Sequence, residues 1–213
     1  MAIRIGKKFL GSMVALIGLL TLASCDVPAG TKSLATPANS VVVAGPPGFC
    51  IDPEASHSTN HGSFVLLGAC DALNGPALGG PKPVIRAVLA AAVTSGGSGA
   101  SIAHNQQKLS RFFRSAAGRK LLSRSGNART VRVLGDRVLD DAYILHARDT
   151  SAFPGHAVSP DYWRALFDLN GHIVTLSVIG VPQARFTDKA ALATLRGFIS
   201  ATRAATPKAQ AAN

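Results

Sequence analysis

The stretch from Tyr162 to Val181, YWRALFDL-NG-HIVTLSVIGV, decides the fold. Asn170-Gly171 separates two runs rich in aromatic and β-branched residues, and an Asn-Gly pair in that position predicts a two-residue β-hairpin. In the second run, Val174, Leu176 and Val178 occupy alternate positions. Successive strand residues point to opposite faces of a sheet, so we expect these three side chains to face a core. The stretch therefore predicts antiparallel strands.

Further runs of β-forming residues precede this hairpin, and glycine- or proline-rich turns separate them. We expect Pro53 to end the second of these runs, and Gly135-Asp136 to turn the chain between two later ones. The strands predicted before the hairpin cover residues 41–43, 49–51, 63–70, 84–93, 130–134 and 138–148.

Two segments show the apolar period of amphipathic helices. The first runs from Ser101 to Leu122, and Gly118 predicts a break or bend within it. The second follows Thr187, a favourable N-cap residue. The apolar stripes consist of Leu109, Phe112, Phe113 and Ala116 in the first helix, and of Leu192, Leu195, Phe198 and Ile199 in the second.

The order of these elements predicts an α+β fold. We expect an antiparallel β-sheet of about six to seven strands, with two amphipathic helices packed on one face. This order resembles that of the PsbP-like sandwich, a fold that hosts mostly non-catalytic assembly factors. The resemblance rests on element order alone, because no motif carries it.

The beginning of the chain reads as a targeting segment and not as part of the fold. Arg4, Lys7 and Lys8 precede an uncharged run that starts at Phe9 and ends in Leu22-Ala23-Ser24-Cys25. From Phe9 to Cys25 the run has 17 residues, whereas a membrane-spanning helix needs about 20 apolar residues. The length therefore favours a cleaved signal peptide.

Leu22-Ala23-Ser24-Cys25 resembles the lipobox of bacterial lipoproteins. The resemblance implies cleavage before Cys25 and attachment of acyl chains such as palmitate, which together anchor a protein stably to a membrane. It implies a cell-envelope protein that faces the periplasm. In such lipoproteins an Asp at the next position, here Asp26, is associated with retention in the inner membrane, which favours that membrane over the outer one. The alternatives are an ordinary secretory peptide with a chance cysteine, or an uncleaved anchor.

Composition divides the chain into four parts. Residues 1–24 form the predicted signal peptide, and residues 25–40, rich in Pro, Ala, Thr and Gly, a flexible tether. Residues 41–203 are enough for one globular domain with a substantial core. Residues 204–213 form a polar, alanine-rich tail that we expect to be disordered.

The cysteines agree with an exported protein. The lipobox takes Cys25 of the 3 cysteines, which leaves Cys50 and Cys70. An oxidising compartment favours a disulfide between them, worth roughly 3 kcal/mol by loop-closure entropy. The alternative is a metal or redox site with two thiols, although the spacing is not C-x-x-C.

Positive charge is concentrated in the middle of the chain. The sequence has 22 basic and 11 acidic residues, and Asp136 is the only acidic residue between Lys82 and Arg137. Such a surface attracts anions, which outside the cytoplasm are lipid headgroups, cell-wall acids or acidic proteins. We expect no nucleic acid, because no nucleic-acid-binding motif is present. The residues predicted to bind an anionic lipid or envelope protein are Lys108, Arg111, Arg114, Arg119, Lys120 and Arg124.

A metal site has only weak candidates. His57 and His61 are four residues apart, with Asp52 and Glu54 nearby. Pro53 and Gly62 predict a loop here, in which this spacing does not bring two imidazoles together. A polar surface loop is the simpler interpretation, so we predict no metal and no other cofactor.

The sequence has no complete catalytic signature. Gly96-Gly97-Ser98-Gly99-Ala100 lacks the last glycine of a nucleophile elbow, and a flexible linker explains it as well as an anion-binding nest does. Our leading hypothesis is a membrane-anchored periplasmic lipoprotein that acts as a non-catalytic binding or assembly module. The alternatives are a binder of a small ligand or metal, and a cell-envelope hydrolase.

Overall fold

Nine strands and four helices form in the part of the chain that the computed structural model describes, which is residues 31–36, 40–59, 61–74, 86–95, 101–152, 157–182, 184 and 186–208. The strands are β1 (Ser33–Ala35), β2 (Val42–Ala44), β3 (Phe49–Thr59), β4 (Gly62–Ala69), β5 (Ala87–Ser95), β6 (Val131–Leu139), β7 (Ala142–Asp149), β8 (Asp161–Leu169) and β9 (His172–Gly180). The helices are α1 (Cys70–Leu73), α2 (Gln106–Arg114), α3 (Ala116–Leu122) and α4 (Asp188–Ala205).

Seven strands form one antiparallel sheet in the order β3-β4-β5-β9-β8-β7-β6. β1 and β2 pair separately as a small antiparallel sheet. The predicted α+β class with an antiparallel sheet is therefore confirmed. The outer strands β3 and β6 leave one edge each, and β5 joins the first half of the sheet to β9.

The hairpin predicted at Asn170-Gly171 joins β8 to β9. Asn170 has φ 49° and Gly171 φ 75°, both in the left-handed region that Asn and Gly tolerate best. Val174, Leu176 and Val178 are fully buried, as their alternation predicts.

The prediction of a turn at Gly135-Asp136 is wrong. β6 runs through these residues, and a register shift between Val133 and Gly135 absorbs the irregularity. The chain turns instead at Asp140 and Asp141, whose φ angles are 52° and 50°. Aspartate tolerates this conformation, although less readily than glycine or asparagine.

Pro53 does not end its strand either. β3 continues to Thr59 through a register shift between Asp52 and His57. β3 is an edge strand, so the missing N–H of Pro53 removes no hydrogen bond from the interior of the sheet. The Oδ1 atom of Asp52 accepts from the backbone N–H of Glu54 at 3.0 Å and stabilises this bend.

The helices pack on opposite faces of the sheet, so the prediction of two helices on one face is wrong. On one face, α4 packs with Val174, Leu176 and Ile144 in the larger core. On the other, Phe113 of α2 and Leu122 of α3 pack with Tyr143 and Leu145. β7 contributes side chains to both cores, because its successive residues point to opposite faces of the sheet and the residues on each face are buried.

The folded domain extends beyond both predicted boundaries. Within the predicted tether 25–40, β1 pairs with β2. At the other end α4 continues to Ala205, and the buried Thr206 accepts a hydrogen bond from the backbone N–H of Val42 at 3.0 Å. The predicted signal peptide, Cys25 and residues 209–213 lie outside the described residues. No helix in the described ranges is long and apolar enough to cross a membrane.

Candidate functional site

The cationic segment predicted from sequence folds as a pair of short helices, α2 and α3. The break falls at Ser115 and not at Gly118, because Ser115 is extended and its hydroxyl accepts from the backbone N–H of Gly118 at 3.2 Å. A Cβ at Gly118 would lie 2.6 Å from the Cα of Phe113, so glycine lets the two helices approach closely. We call the outward side of this pair the α2–α3 surface; its exposed residues are Gln107, Lys108, Arg111, Phe112, Arg114, Ser115, Ala116, Ala117, Lys120 and Leu121.

No carboxylate occurs in the sequence 101–124, which contains all six residues predicted to bind an anion. The acidic residue that pairs with a cation of α2 is Asp136 on β6. It pairs with Arg114 at 2.5 Å and accepts from the hydroxyl of Ser110 at 3.1 Å. This side chain of Asp136 is 6% exposed and that of Arg114 is 49% exposed, so the ion pair also ties α2 to the sheet edge.

Arg119 and Arg124 support the fold. Arg119 donates to the carbonyl of Arg114 and, at 3.2 Å, to that of Ala128. Arg124 donates to the carbonyl of Ser159 at 2.8 Å, and its guanidinium lies 5.9 Å from the ring centre of Tyr162.

Three of the six predicted residues are therefore engaged with the protein itself. Lys108, Arg111 and Lys120 are exposed on the α2–α3 surface, and Arg111 makes a side-chain hydrogen bond only to the carbonyl of Gln107 within its own helix, at 3.4 Å. Of the six predicted residues, these three are exposed and take no part in the contacts described for the other three.

A groove lies beside Arg111, between α2 and β6. It has a volume of about 440 Å³, and polar residues line it. The lining residues are Gln106, Gln107, Ser110, Arg111 and Asp136.

Phe112 and Leu121 place apolar side chains among the exposed cations. Phe112 is 40% exposed and Leu121 is 69% exposed. Phe112 was expected on the core stripe, but within that stripe only its neighbour Phe113 is buried. The break at Ser115 also removes Ala116 from the helical period of α2.

Asp149 anchors the chain that leaves α3. This buried carboxylate accepts from the backbone N–H groups of Arg124, at 2.7 Å, and Ser151, at 3.0 Å. Burial by itself raises the pKa of Asp149, but these hydrogen bonds outweigh it and the net pKa lies below 3.8. The carboxylate is therefore structural, and its charge is satisfied by the fold.

Arg164 projects from the middle of the sheet, on the face that carries α2 and α3. Its Nε donates to the hydroxyl of Ser177 at 3.0 Å, and its guanidinium lies 5.3 Å from the ring centre of Tyr162. Burial lowers the pKa of Arg164 and Tyr162 opposes that effect, while nearby Arg124 lowers the pKa further. Arg164 and Arg124 thus share one aromatic ring, an arrangement stabilised by cation–π attraction.

The weak metal candidates do not form a site. His57 lies on β3, where its ring is 5.5 Å from that of Phe64, and Asp52 is engaged with the backbone. His61 follows in the turn, with its backbone N–H bonded to the hydroxyl of Thr59. Within the ranges that the structure covers, no group of three or more His, Cys, Asp or Glu residues is placed to hold a metal ion.

The predicted disulfide is present. Cys50 at the start of β3 is joined to Cys70 at the start of α1. The rival interpretation of these two residues as a free-thiol site is therefore wrong. The glycine-rich candidate at residues 96–100 lies outside the described part of the chain.

A scan against protein-family models finds no match to this sequence, and a search of curated proteins finds none either. The function of this protein is therefore inferred from its own residues.

Proposed function

We propose that this protein is a lipid-anchored lipoprotein of the bacterial cell envelope, which faces the periplasm and binds an anionic envelope component without catalysing a reaction. Leu22-Ala23-Ser24-Cys25 supports the anchor. The α2–α3 surface supports the binding role.

The observation that carries the binding role is the unbalanced charge of this surface. Lys108, Arg111 and Lys120 are exposed together, and the sequence 101–124 contains no carboxylate to pair with them. Solvated cations at such a surface attract anions over roughly a Debye length, which is about 8 Å at physiological ionic strength. The α2–α3 surface is therefore best suited to bind an anionic partner.

The binding role can be tested by crosslinking in cells. Lys108→Glu, Arg111→Glu and Lys120→Glu are combined in one variant, which spares the arginines that support the fold. The matched control combines Lys32→Glu, Arg86→Glu and Lys189→Glu, three exposed residues outside the α2–α3 surface. Both variants change the net charge equally, and thermal unfolding checks that both are folded.

We expect a discrete crosslinked product in the wild-type protein and in the control variant, and its loss in the α2–α3 variant. A product that persists unchanged in all three proteins would show that the partner contacts another surface.

The anchor is tested separately by Cys25→Ser. We expect the wild-type protein to incorporate labelled palmitate and the variant to incorporate none, because serine offers no thiol for the thioether. Equal labelling of both proteins would contradict the lipobox assignment.

A further inference from the structure

The α2–α3 surface combines positive charge with exposed apolar side chains. Phe112 and Leu121 are exposed on the same two helices as Lys108, Arg111 and Lys120, and the sequence 101–124 contains no acidic residue. Proteins that lie on membranes use this combination: cations attract anionic headgroups, and aromatic or aliphatic side chains enter the interface between headgroups and acyl chains. A purely electrostatic protein interface has no need of a 69% exposed leucine.

The proposed anchor keeps the domain close to a bilayer. Thr31 is the first described residue, and its carbonyl accepts from the backbone N–H of Ile51 at 2.7 Å. Six peptide steps separate it from Cys25, and an extended chain covers at most about 3.6 Å per step. The start of the fold therefore remains within about 20 Å of the lipidated cysteine, where the local concentration of headgroups is high.

We infer that the α2–α3 surface docks on the anionic phospholipid bilayer to which the protein is anchored, with Phe112 and Leu121 at the interface and Lys108, Arg111 and Lys120 against the phosphate groups. This inference rests on the proposed function and names its partner. The groove of about 440 Å³ beside Arg111 offers Gln106 and Gln107 as hydrogen-bonding groups for the polar part of a headgroup.

Fluorescence quenching by lipid tests this contact. The full-length processed protein carries a fluorophore on Ala117→Cys, which is exposed on the α2–α3 surface and leaves Phe112 and Leu121 intact. A second preparation carries it on Ser200→Cys, which is exposed on α4. Each is reconstituted into vesicles of phosphatidylcholine alone or of phosphatidylcholine with phosphatidylglycerol. Brominated acyl chains serve as the quencher.

We expect quenching at residue 117 in vesicles that contain phosphatidylglycerol, weak quenching there in neutral vesicles, and none at residue 200. The combined Lys108→Glu, Arg111→Glu and Lys120→Glu variant should lower the ratio of docked to undocked protein at least about a hundredfold, since each cation contributes about a factor of five.

Leu121→Ser isolates the apolar part of the contact without changing the charge. We expect it to lower the same ratio about fivefold, which is the effect of returning part of one aliphatic side chain to water. Leu134→Ser is the matched control, because Leu134 is 43% exposed but lies on β6, and it should leave the ratio unchanged.

Equal quenching in both kinds of vesicle, equal quenching at residue 200, or an unchanged ratio in the charge-reversed variant would each overturn the inference. If residue 117 stays unquenched while the crosslinked product in cells still depends on Lys108, Arg111 and Lys120, the partner is a protein and only this inference fails. If neither measurement depends on these cations, the proposed binding role fails as well.

Discussion

Asp149 makes the stability of the domain depend on pH. Its folded-state pKa lies below the ordinary 3.8, so its ionised form stabilises the fold above that pH. This contribution should be lost as the pH falls through the lowered pKa, where the carboxylate becomes protonated and its hydrogen bonds weaken. We expect Asp149→Asn to cost about 3 kcal/mol at neutral pH, because buried N–H donors lose a charged acceptor. Urea unfolding at neutral and acidic pH measures both effects.

Asp161→Asn is the control for this prediction. Asp161 pairs with Arg148 at 2.6 Å on the surface, where such pairs contribute about 0.5 kcal/mol. If the unfolding free energies of the two variants fall equally with pH, Asp149 is not the group responsible.

Residue identity was enough to predict some of these roles and not others. Cys50 and Cys70 were paired correctly because assigning Cys25 to the predicted lipobox leaves only these two of the 3 cysteines. The roles of Arg119 and Arg124 were missed, since their partners are backbone carbonyls of Ala128 and Ser159, and a carbonyl carries no signature in the sequence.

Among the contacts between secondary-structure elements, Gly118 determines how closely α2 and α3 pack. An added methyl group would meet the carbonyl of Phe112 and the Cα of Phe113, which are backbone atoms that cannot rotate away. We expect Gly118→Ala to destabilise the domain by about 2 kcal/mol through overpacking. Chemical denaturation measures the change.

Gly135→Ala provides the comparison, because a Cβ there would meet nothing within 4 Å. Its effect should stay below about 0.5 kcal/mol. Similar losses in both variants would mean that glycine at 118 is not required by close packing.

The disulfide ties the beginning of β3 to α1, across a sequence separation of 20 residues. We expect Cys50→Ala with Cys70→Ala to lower the free energy of unfolding by about 3 kcal/mol, mainly because the unfolded chain gains freedom. Thermal unfolding with and without reductant checks this: reductant should lower the melting temperature of the wild-type protein and leave that of the variant unchanged.

Hairpins show why the sequence predicts some elements better than others. The Asn170-Gly171 turn was predicted because both residues favour the left-handed conformation, whereas Asp140-Asp141 reaches the same conformation with residues that favour it less. Arg196 then stabilises that turn through an ion pair with Asp140 at 2.7 Å, a long-range contact that local pattern does not contain.

The molecule as a whole buries both faces of its sheet. The layer to which each helix belongs was not predictable, because Tyr143 and Leu145 are as buried as Ile144, and a strand with two apolar faces shows no alternation. The outer boundaries were misplaced because long-range contacts with β2, and not strong local propensity, stabilise both ends of the domain. β1 pairs with β2, and Thr202 and Thr206 at the end of α4 accept hydrogen bonds from its backbone.

The short connection between the proposed anchor and the domain leads to a prediction at this scale. Inserting a Gly/Ser linker that makes the connection about four times longer should lower the ratio of docked to undocked protein about eightfold, because effective concentration falls with the three-halves power of linker length. Quenching at residue 117 measures this ratio. The same linker inserted after Lys208 should have no effect, and an equal loss in both proteins would argue against docking controlled by the anchor.

The pairing of β5 with β9 affects how the chain can fold while it is being synthesised. β5 pairs with β4 on one side, but its partner on the other side is residues 172–180, and the chain is made from its amino end. While residues 96–171 are being made, β5 is an apolar strand with one edge unpaired. The nascent chain therefore needs shielding for that interval, and the last hairpin to emerge is the one that closes the sheet.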